Sequence, residues 1–322
     1  LDRECKTLSE KMKELGYYCV NVMGSGDAIY NGATRGYDRM IVNSYALHTY
    51  VGVERVIRQL EAFGECDQFL LMHVMDVHPW TAQKYQVPVE TQTRLSLANR
   101  LKGDKTSKAS VYLPHTPLYM EANRQGMENA DRSLKVLFDY IGEHYDEDEY
   151  IVQLYSDHGV PVYDAVPYLL SEHQVGAALM MRGAGIPSLG IVDELTSAID
   201  IYPIMAHHAG FEVGSWVDGN LPEVLGGKRR EYVISNSIYP GQTYKLCIRT
   251  MTHELHLESR EPVDEDGTVD LTDASHELFR RGNSLEKIHD LGLEEYFLDI
   301  VEKHTASFDH KGQFWPSMRN AR

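Results

Sequence analysis

Two stretches of this sequence set a carboxylate and an imidazole together where an apolar run ends. Ile151-Val152-Gln153-Leu154-Tyr155 leads into Ser156-Asp157-His158-Gly159, and Gln68-Phe69-Leu70-Leu71-Met72-His73-Val74 leads into Met75-Asp76-Val77-His78-Pro79-Trp80. Carboxylate oxygens suit a hard divalent cation, and an imidazole nitrogen can fill a further position. Gly159 gives the backbone freedom to turn away, so that both side chains can face one point. In open α/β sheets ligands collect outside the carboxyl ends of the strands, where both stretches would lie. Asp157, His158 and His78 are therefore expected to converge on one cleft.

Other histidines read as packing residues. His207 and His208 fall near the C-terminal end of a helical pattern, where a cation or a cap is favoured. His73 sits inside an apolar run. His253 and His256 fall on or beside a short strand pattern, where a half-exposed face is a better reading than a two-His metal clip. Gly24-Ser25-Gly26 lacks the spacing of a nucleotide-binding loop and reads as a turn.

The elements that must hold these residues alternate between helix and strand for about two thirds of the chain, which argues for a mainly parallel sheet flanked by helices. Helices are expected from Thr7 to Leu15, Gly52 to Phe63, Ala122 to Tyr145 and Glu194 to His208, and strands at Tyr17–Met23, Gln68–Val74, Ile151–Tyr155 and Gln174–Arg182. The polar, irregular text from Pro88 to Pro117 is long for a connection and reads as a lid or substrate-facing excursion. After about Phe211 short strand patterns occur at Glu231–Ser235, Tyr244–Thr250 and Glu254–Leu257, with helices at Ser284–Asp290 and Glu294–His304. The expected division is residues 1–225 as an α/β core and 226–322 as a small α+β subdomain.

Composition narrows the function. The chain has 322 residues, a formal net charge of −17, 43% hydrophobic and 25% charged residues. That excess of acid argues against a nucleic-acid partner, which needs clustered Lys and Arg. An anionic substrate would need local positive charge from a metal or a few Arg and His. No run approaches the roughly 18 apolar residues of a membrane span. The four cysteines (Cys5, Cys19, Cys66, Cys247) have neither zinc-site spacing nor disulfide density. The sequence opens at Leu1 without a signal-like segment, so the native start is expected to lie upstream and the compartment is unknown.

The order of motifs resembles the sulfatase branch of the alkaline-phosphatase superfamily over nearly the whole chain. Thr7-Leu8-Ser9-Glu10 through Gly16-Tyr17 is similar to that family's helix ending in Gly-Tyr. Arg35-Gly36-Tyr37-Asp38 resembles its Arg-Gly-Phe-Asp turn, Met75-Asp76-Val77-His78-Pro79 its Asp-x-His-x-Pro strand end, and Asp200-Ile201-Tyr202-Pro203 with Ala209-Gly210 the helix closing its core. The helix carrying Asp131 precedes Ser156-Asp157-His158-Gly159 as in the family, and Tyr244-Lys245-Leu246 with Ile248-Arg249-Thr250 resembles its C-terminal sheet.

The resemblance implies an alkaline-phosphatase-like three-layer α/β sandwich with a mainly parallel central sheet and a small C-terminal antiparallel sheet. It implies that Asp157 and His158 are ligands of one divalent metal, calcium in many sulfatases, with magnesium, manganese or zinc as alternatives. His78 would contact the leaving-group side of the ester, and His173 would offer a cationic group at the cleft edge. The implied substrate is a small anionic ester such as a sulfated sugar or aryl sulfate.

Three family elements are missing: the paired aspartates, the Cys/Ser-x-Pro-x-Arg or Thr nucleophile, and the Gly-Lys-x-His segment. The first two belong before the Gly-Tyr helix, so the sequence reads as the C-terminal portion of a longer protein that is inactive by itself. Alternatives are a phosphoester or phosphonate hydrolase, a phosphoethanolamine transferase, or a non-catalytic binding domain on the same fold.

Overall fold

The structure, a computed structural model, describes residues 5–25, 34–43, 47–77, 117–159, 170–238, 241–264, 267–282 and 286–306. His78 and residues 88–116 of the expected excursion lie outside them.

Helix α1 (Leu8–Glu14) starts at a reciprocal cap: the Glu10 backbone N–H donates to Thr7 Oγ1 at 3.2 Å, and the Thr7 N–H donates to Glu10 Oε2 at 2.8 Å. Strand β1 (Tyr18–Gly24) comes next and is buried along almost its whole length. It is the centre of a three-stranded parallel sheet, between β2 (Arg39–Asn43) and β3 (Gln68–Met72). Two helices cover one face. In α2 (Thr49–Ala62), Thr49, Gly52, Val53, Val56 and Gln59 are buried at helical spacing. In the 28-residue α3 (Pro117–His144), Leu137 and Ile141 join Val20, Val22, Val53 and Val56 in one core.

Strand β4 (Ile151–Tyr155) pairs antiparallel with β5 (Leu179–Gly183), and Val152 reaches the same core as β1 and β3. Before β5 comes one helical turn, α4 (Glu172–Val175), capped by Ser171. Helix α5 (Ile201–Ala209) closes this part of the chain and ends on Gly210 at φ 75°. Beyond it lies a five-stranded antiparallel sheet in the order β10-β9-β8-β7-β6: β6 (Val233–Ser237), β7 (Thr243–Arg249), β8 (His253–Pro262), β9 (Ser275–Arg280) and β10 (Glu286–Ile288). One face, with Tyr244, Leu246, Ile248, Leu255, Leu257 and Leu278, packs on Phe297, Ile300 and Val301 of α6 (Leu291–Ala306). The other face carries Cys247, Arg249, Glu254, His256 and Phe279. A mixed α/β fold with a parallel sheet and a small antiparallel sheet is therefore what the sequence forms.

Several elements differ from the sequence reading. The strand expected over Gln174–Arg182 splits, because Ser171 accepts from the Gln174 N–H at 3.3 Å and turns 172–175 into helix, so that β5 starts only at Leu179. The helix expected from Glu194 starts at Ile201, after a 3-10 turn (Ala198–Asp200) whose Asp200 caps Ser197. Ser284–Asp290 holds strand β10 rather than a helix, paired along Leu278–Arg280 of β9. Strands β2 and β9 have no clear local pattern, and both are held by their neighbours.

Candidate active site

Asp157 and His158 come directly after β4, and both are exposed, 74% and 51% of the side chain. His158 Nδ1 lies 2.7 Å from the Gly159 carbonyl oxygen. A carbonyl can only accept, so Nδ1 is the donor, which in the neutral ring leaves the Nε2 lone pair for a ligand. That Nε2 is 3.4 Å from Asp157 Oδ2. Tetrahedral bonds of about 2.1 Å and octahedral cis bonds of about 2.4 Å both span donors about 3.4 Å apart, so the separation suits a divalent cation without selecting which one. Asp157 Oδ1 accepts from the His158 backbone N–H at 3.0 Å, which fixes the carboxylate and leaves Oδ2 toward the imidazole.

The backbone under this pair is clamped by the chain that leads into β5. The Ser156 N–H donates to the Ala178 carbonyl at 3.1 Å, the Ala178 N–H to Ser156 Oγ at 2.8 Å, and the Gly159 N–H to the Gln174 carbonyl at 2.7 Å. Gly159 is needed here for close approach: a Cβ would fall onto the carbonyl oxygen of His173 and within 2.7 Å of that of Gly176. His173, itself exposed, thus contributes its backbone to the floor beneath the Asp157–His158 pair.

The other motif acid does a different job. Asp76 is buried, 3% exposed, and its Oδ2 accepts from the backbone N–H of Thr49 at 2.5 Å and from Thr49 Oγ1 at 2.7 Å. It secures the first turn of α2, where helix N–H groups lack internal partners. Helix α3 presses on the same strand end: Asn123 Nδ2 donates to the Val77 carbonyl at 2.6 Å, and a Cβ on Gly126 would collide with the Asp76 carbonyl.

The Arg35-Gly36-Tyr37-Asp38 turn is architectural. Arg35 pairs with Glu10 at 2.8 Å, its carbonyl accepts from Ser9 Oγ at 2.6 Å, and a Cβ on Gly36, at φ 86°, would strike the Glu10 backbone. Asp38 accepts from the Cys19 N–H at 3.0 Å and pairs with Lys13. Asp200 is likewise buried, accepting from the N–H groups of Ser197 and Asn220 and pairing with Arg230.

Among the described residues, one group has three metal-ligating atoms all within 4.8 Å of one another: Cys247, Glu254 and His256. It lies on the face of the C-terminal sheet turned away from α6, where register pairs Cys247 with His256 and Arg249 with Glu254. The Cys247 Sγ is 3.6 Å from His256 Nε2, which is 2.7 Å from Glu254 Oε1. Glu254 also pairs with Arg249 at 2.8 Å and faces Arg281 at 3.8 Å. Burial alone would raise the Glu254 pKa, but the hydrogen bond from His256 and the charge of Arg249 outweigh it and hold the carboxyl below its ordinary value. Burial pushes the Cys247 thiol up to about 12, so it is protonated at neutral pH. With two guanidinium groups already on the carboxylate, the cluster is a buried ion-pair network rather than a cation site. His253 takes no part; its Nδ1 contacts Thr252 Oγ1 at 2.9 Å. Only strand register brings Cys247 to Glu254 and His256, which is why linear spacing does not reveal the group.

Burial also lowers the pKa of His208, with His207 5.0 Å away between ring centroids. This fits a packed histidine at the end of α5.

Comparison with known proteins agrees with this architecture. The Sulfatase family model matches residues 3–211, and the chain belongs to that family. No curated protein sequence matches significantly. Among solved structures, the lipoteichoic acid synthase LtaP from Listeria monocytogenes is similar at 13% identity and a TM-score of 0.63, over 98% of this chain and 74% of that one. A sulfatase candidate, yidJ from Bacteroides fragilis, is similar at 14% identity and a TM-score of 0.65, over 97% and 78%. A Bacteroides thetaiotaomicron structure from a glycosaminoglycan-metabolism locus is similar at 14% identity and a TM-score of 0.61, over 94% and 75%. Among the described residues, no helix is long and apolar enough to cross a membrane.

Proposed function

We propose that this chain carries the metal-binding and ester-facing part of a hydrolase of sulfate esters, with Asp157 and His158 holding one divalent cation, calcium by preference. The observation that carries this reading is the exposed Asp157 Oδ2 and His158 Nε2, 3.4 Å apart on a backbone clamped by three hydrogen bonds. A cation there would supply electrostatic stabilisation of charge on the ester oxygens. His158 keeps its Nδ1 proton on the Gly159 carbonyl, which orients the ring. His173 is proposed to face the ester anion from the cleft edge, and His78 the leaving group. The attacking group and the remaining ligands are proposed to come from a segment outside these residues. Similarity to a structure from a glycosaminoglycan-metabolism locus supports a sulfated sugar as the substrate class.

A second reading is transfer or hydrolysis of a phosphoester, favoured by the similarity to a lipoteichoic acid synthase across nearly all of the chain. The test is a comparison of p-nitrophenyl sulfate and p-nitrophenyl phosphate as substrates of the full-length encoded protein, with and without a chelator. Sulfate hydrolysis lost on chelation and in Asp157→Ala supports the first reading, and preference for phosphate the second. No turnover of either supports a non-catalytic sulfatase-fold domain. The expected loss in Asp157→Ala is more than roughly 100-fold, since removing even an outer partner of a metal ligand costs about 10–100-fold.

A further inference from the structure

A buried arginine of the C-terminal sheet reaches the chain beneath the candidate metal pair. Arg249 is 4% exposed, and its guanidinium holds two partners at once: Nε donates to Glu254 Oε2 at 2.8 Å, and Nη2 donates to the Leu170 carbonyl at 2.5 Å. Leu170 stands at φ 67°, the left-handed region that a side chain with a Cβ enters only at a cost. Its own N–H donates to Gln174 Oε1 at 2.9 Å, so the unusual residue is held from both ends.

The clamp on Gly159 begins at the next residue. Ser171 caps α4, the Gln174 carbonyl takes the Gly159 N–H, and the His173 and Gly176 carbonyls line the space where a Gly159 Cβ would be. A second tether runs in parallel, with Arg281 Nη1 on the Thr250 carbonyl at 2.7 Å and Nη2 on Glu172 Oε1 at 2.8 Å. Glu172 is exposed and Arg281 partly so, whereas Arg249 and Glu254 are buried. In low dielectric a paired, fork-shaped guanidinium is the more rigid anchor, and lysine cannot replace its two-way geometry.

We propose that Arg249 is a positioning residue for the Asp157–His158 pair: by fixing the Leu170 carbonyl it sets the 171–176 turn, and that turn sets the backbone of Gly159 directly behind the two ligands. The C-terminal sheet is then part of the site's scaffold. What the positioned pair does rests on the function proposed above; the positioning does not.

Hydrogen exchange of the whole chain, read amide by amide, tests this without any metal. In Arg249→Met the amides of Gly159, Gln174 and Gly176 should exchange roughly tenfold faster or more, as expected when a local closed state loses an anchoring hydrogen bond. Amides of Val53, Val56 and Val20 in the core should stay within about twofold of the parent, since opening is confined to contiguous cooperative units. Should Arg249→Met not fold, Arg249→Lys keeps the charge facing Glu254 without the second arm, and should show the same pattern at smaller amplitude. Gly159 exchange unchanged in a folded Arg249 variant would overturn the proposal, as would uniform acceleration across the core. Manganese binding by parent and Asp157→Ala is a separate readout: if it is the same in both, the metal reading fails while the exchange result still decides the role of Arg249.

Discussion

Replacing Asp76 separates a structural acid from a ligand. Its carboxylate receives two donors from Thr49, the backbone N–H and the hydroxyl, and Thr49 is fully buried. Asp76→Ala strands both donors away from water. A buried donor left without a partner costs about 1–3 kcal/mol, so the pair should cost about 2–6 kcal/mol. Against a total stability of about 5–15 kcal/mol that is a large fraction. With a urea slope of about 3 kcal/mol/M, the midpoint should fall by about 0.7–2 M. Asp76→Asn keeps one acceptor oxygen and should fall by less than half as much. The assay is urea unfolding of the metal-free protein followed by far-UV circular dichroism, with exchange of the Thr49 amide as a local reporter. An Asp76→Ala protein with an unchanged midpoint and an equally protected Thr49 amide would refute the capping role and return Asp76 to the pool of free carboxylates.

The same contacts set other outcomes. Gly159→Ala should leave β1–β3 intact but displace the Asp157–His158 backbone, because the added methyl meets the His173 and Gly176 carbonyls; loss of manganese binding with a native far-UV spectrum is the expected result. In native protein a thiol reagent should label exposed Cys66 rapidly and Cys5 more slowly. Cys19 and Cys247, buried and pushed up to about 11 and about 12, should react only on unfolding. The depressed pKa of Glu254 contributes stability that is fully present above the ordinary carboxyl value of 4.5 and is lost as pH falls from there through its folded-state pKa. The acid limb of a stability–pH curve should therefore flatten in Glu254→Gln.

The parts of the fold legible in sequence are those written in local chemistry. The Thr7–Glu10 cap, the Leu137 and Ile141 stripe and the apolar run of β4 each declare themselves within a few residues. Strand β2 and the turn at 172–175 do not, because their conformation is decided by β1 and by the Ser171 cap rather than by periodicity. At the candidate site, the placement of Asp157 and His158 just after a strand can be read from residue type. The reason for Gly159 cannot: the residues that crowd it lie 14 and 17 positions along the chain. Asp76 misleads for a similar reason, since its partner Thr49 is 27 residues away. The buried Arg249–Glu254 pair needs both the β7–β8 register and the distant Leu170 carbonyl, neither of which is expressed in linear spacing.

That Asp157 and His158 share a divalent cation is tested most directly by anomalous diffraction from crystals of the full-length protein soaked in manganese, which reports where the ion sits without reference to activity. A peak is expected within bonding distance, about 2.0–2.4 Å, of both Asp157 Oδ2 and His158 Nε2, and should be absent in Asp157→Ala crystals. A saturating soak with no density between these two atoms, or a peak confined to Cys247, Glu254 and His256, would contradict the shared-cation site.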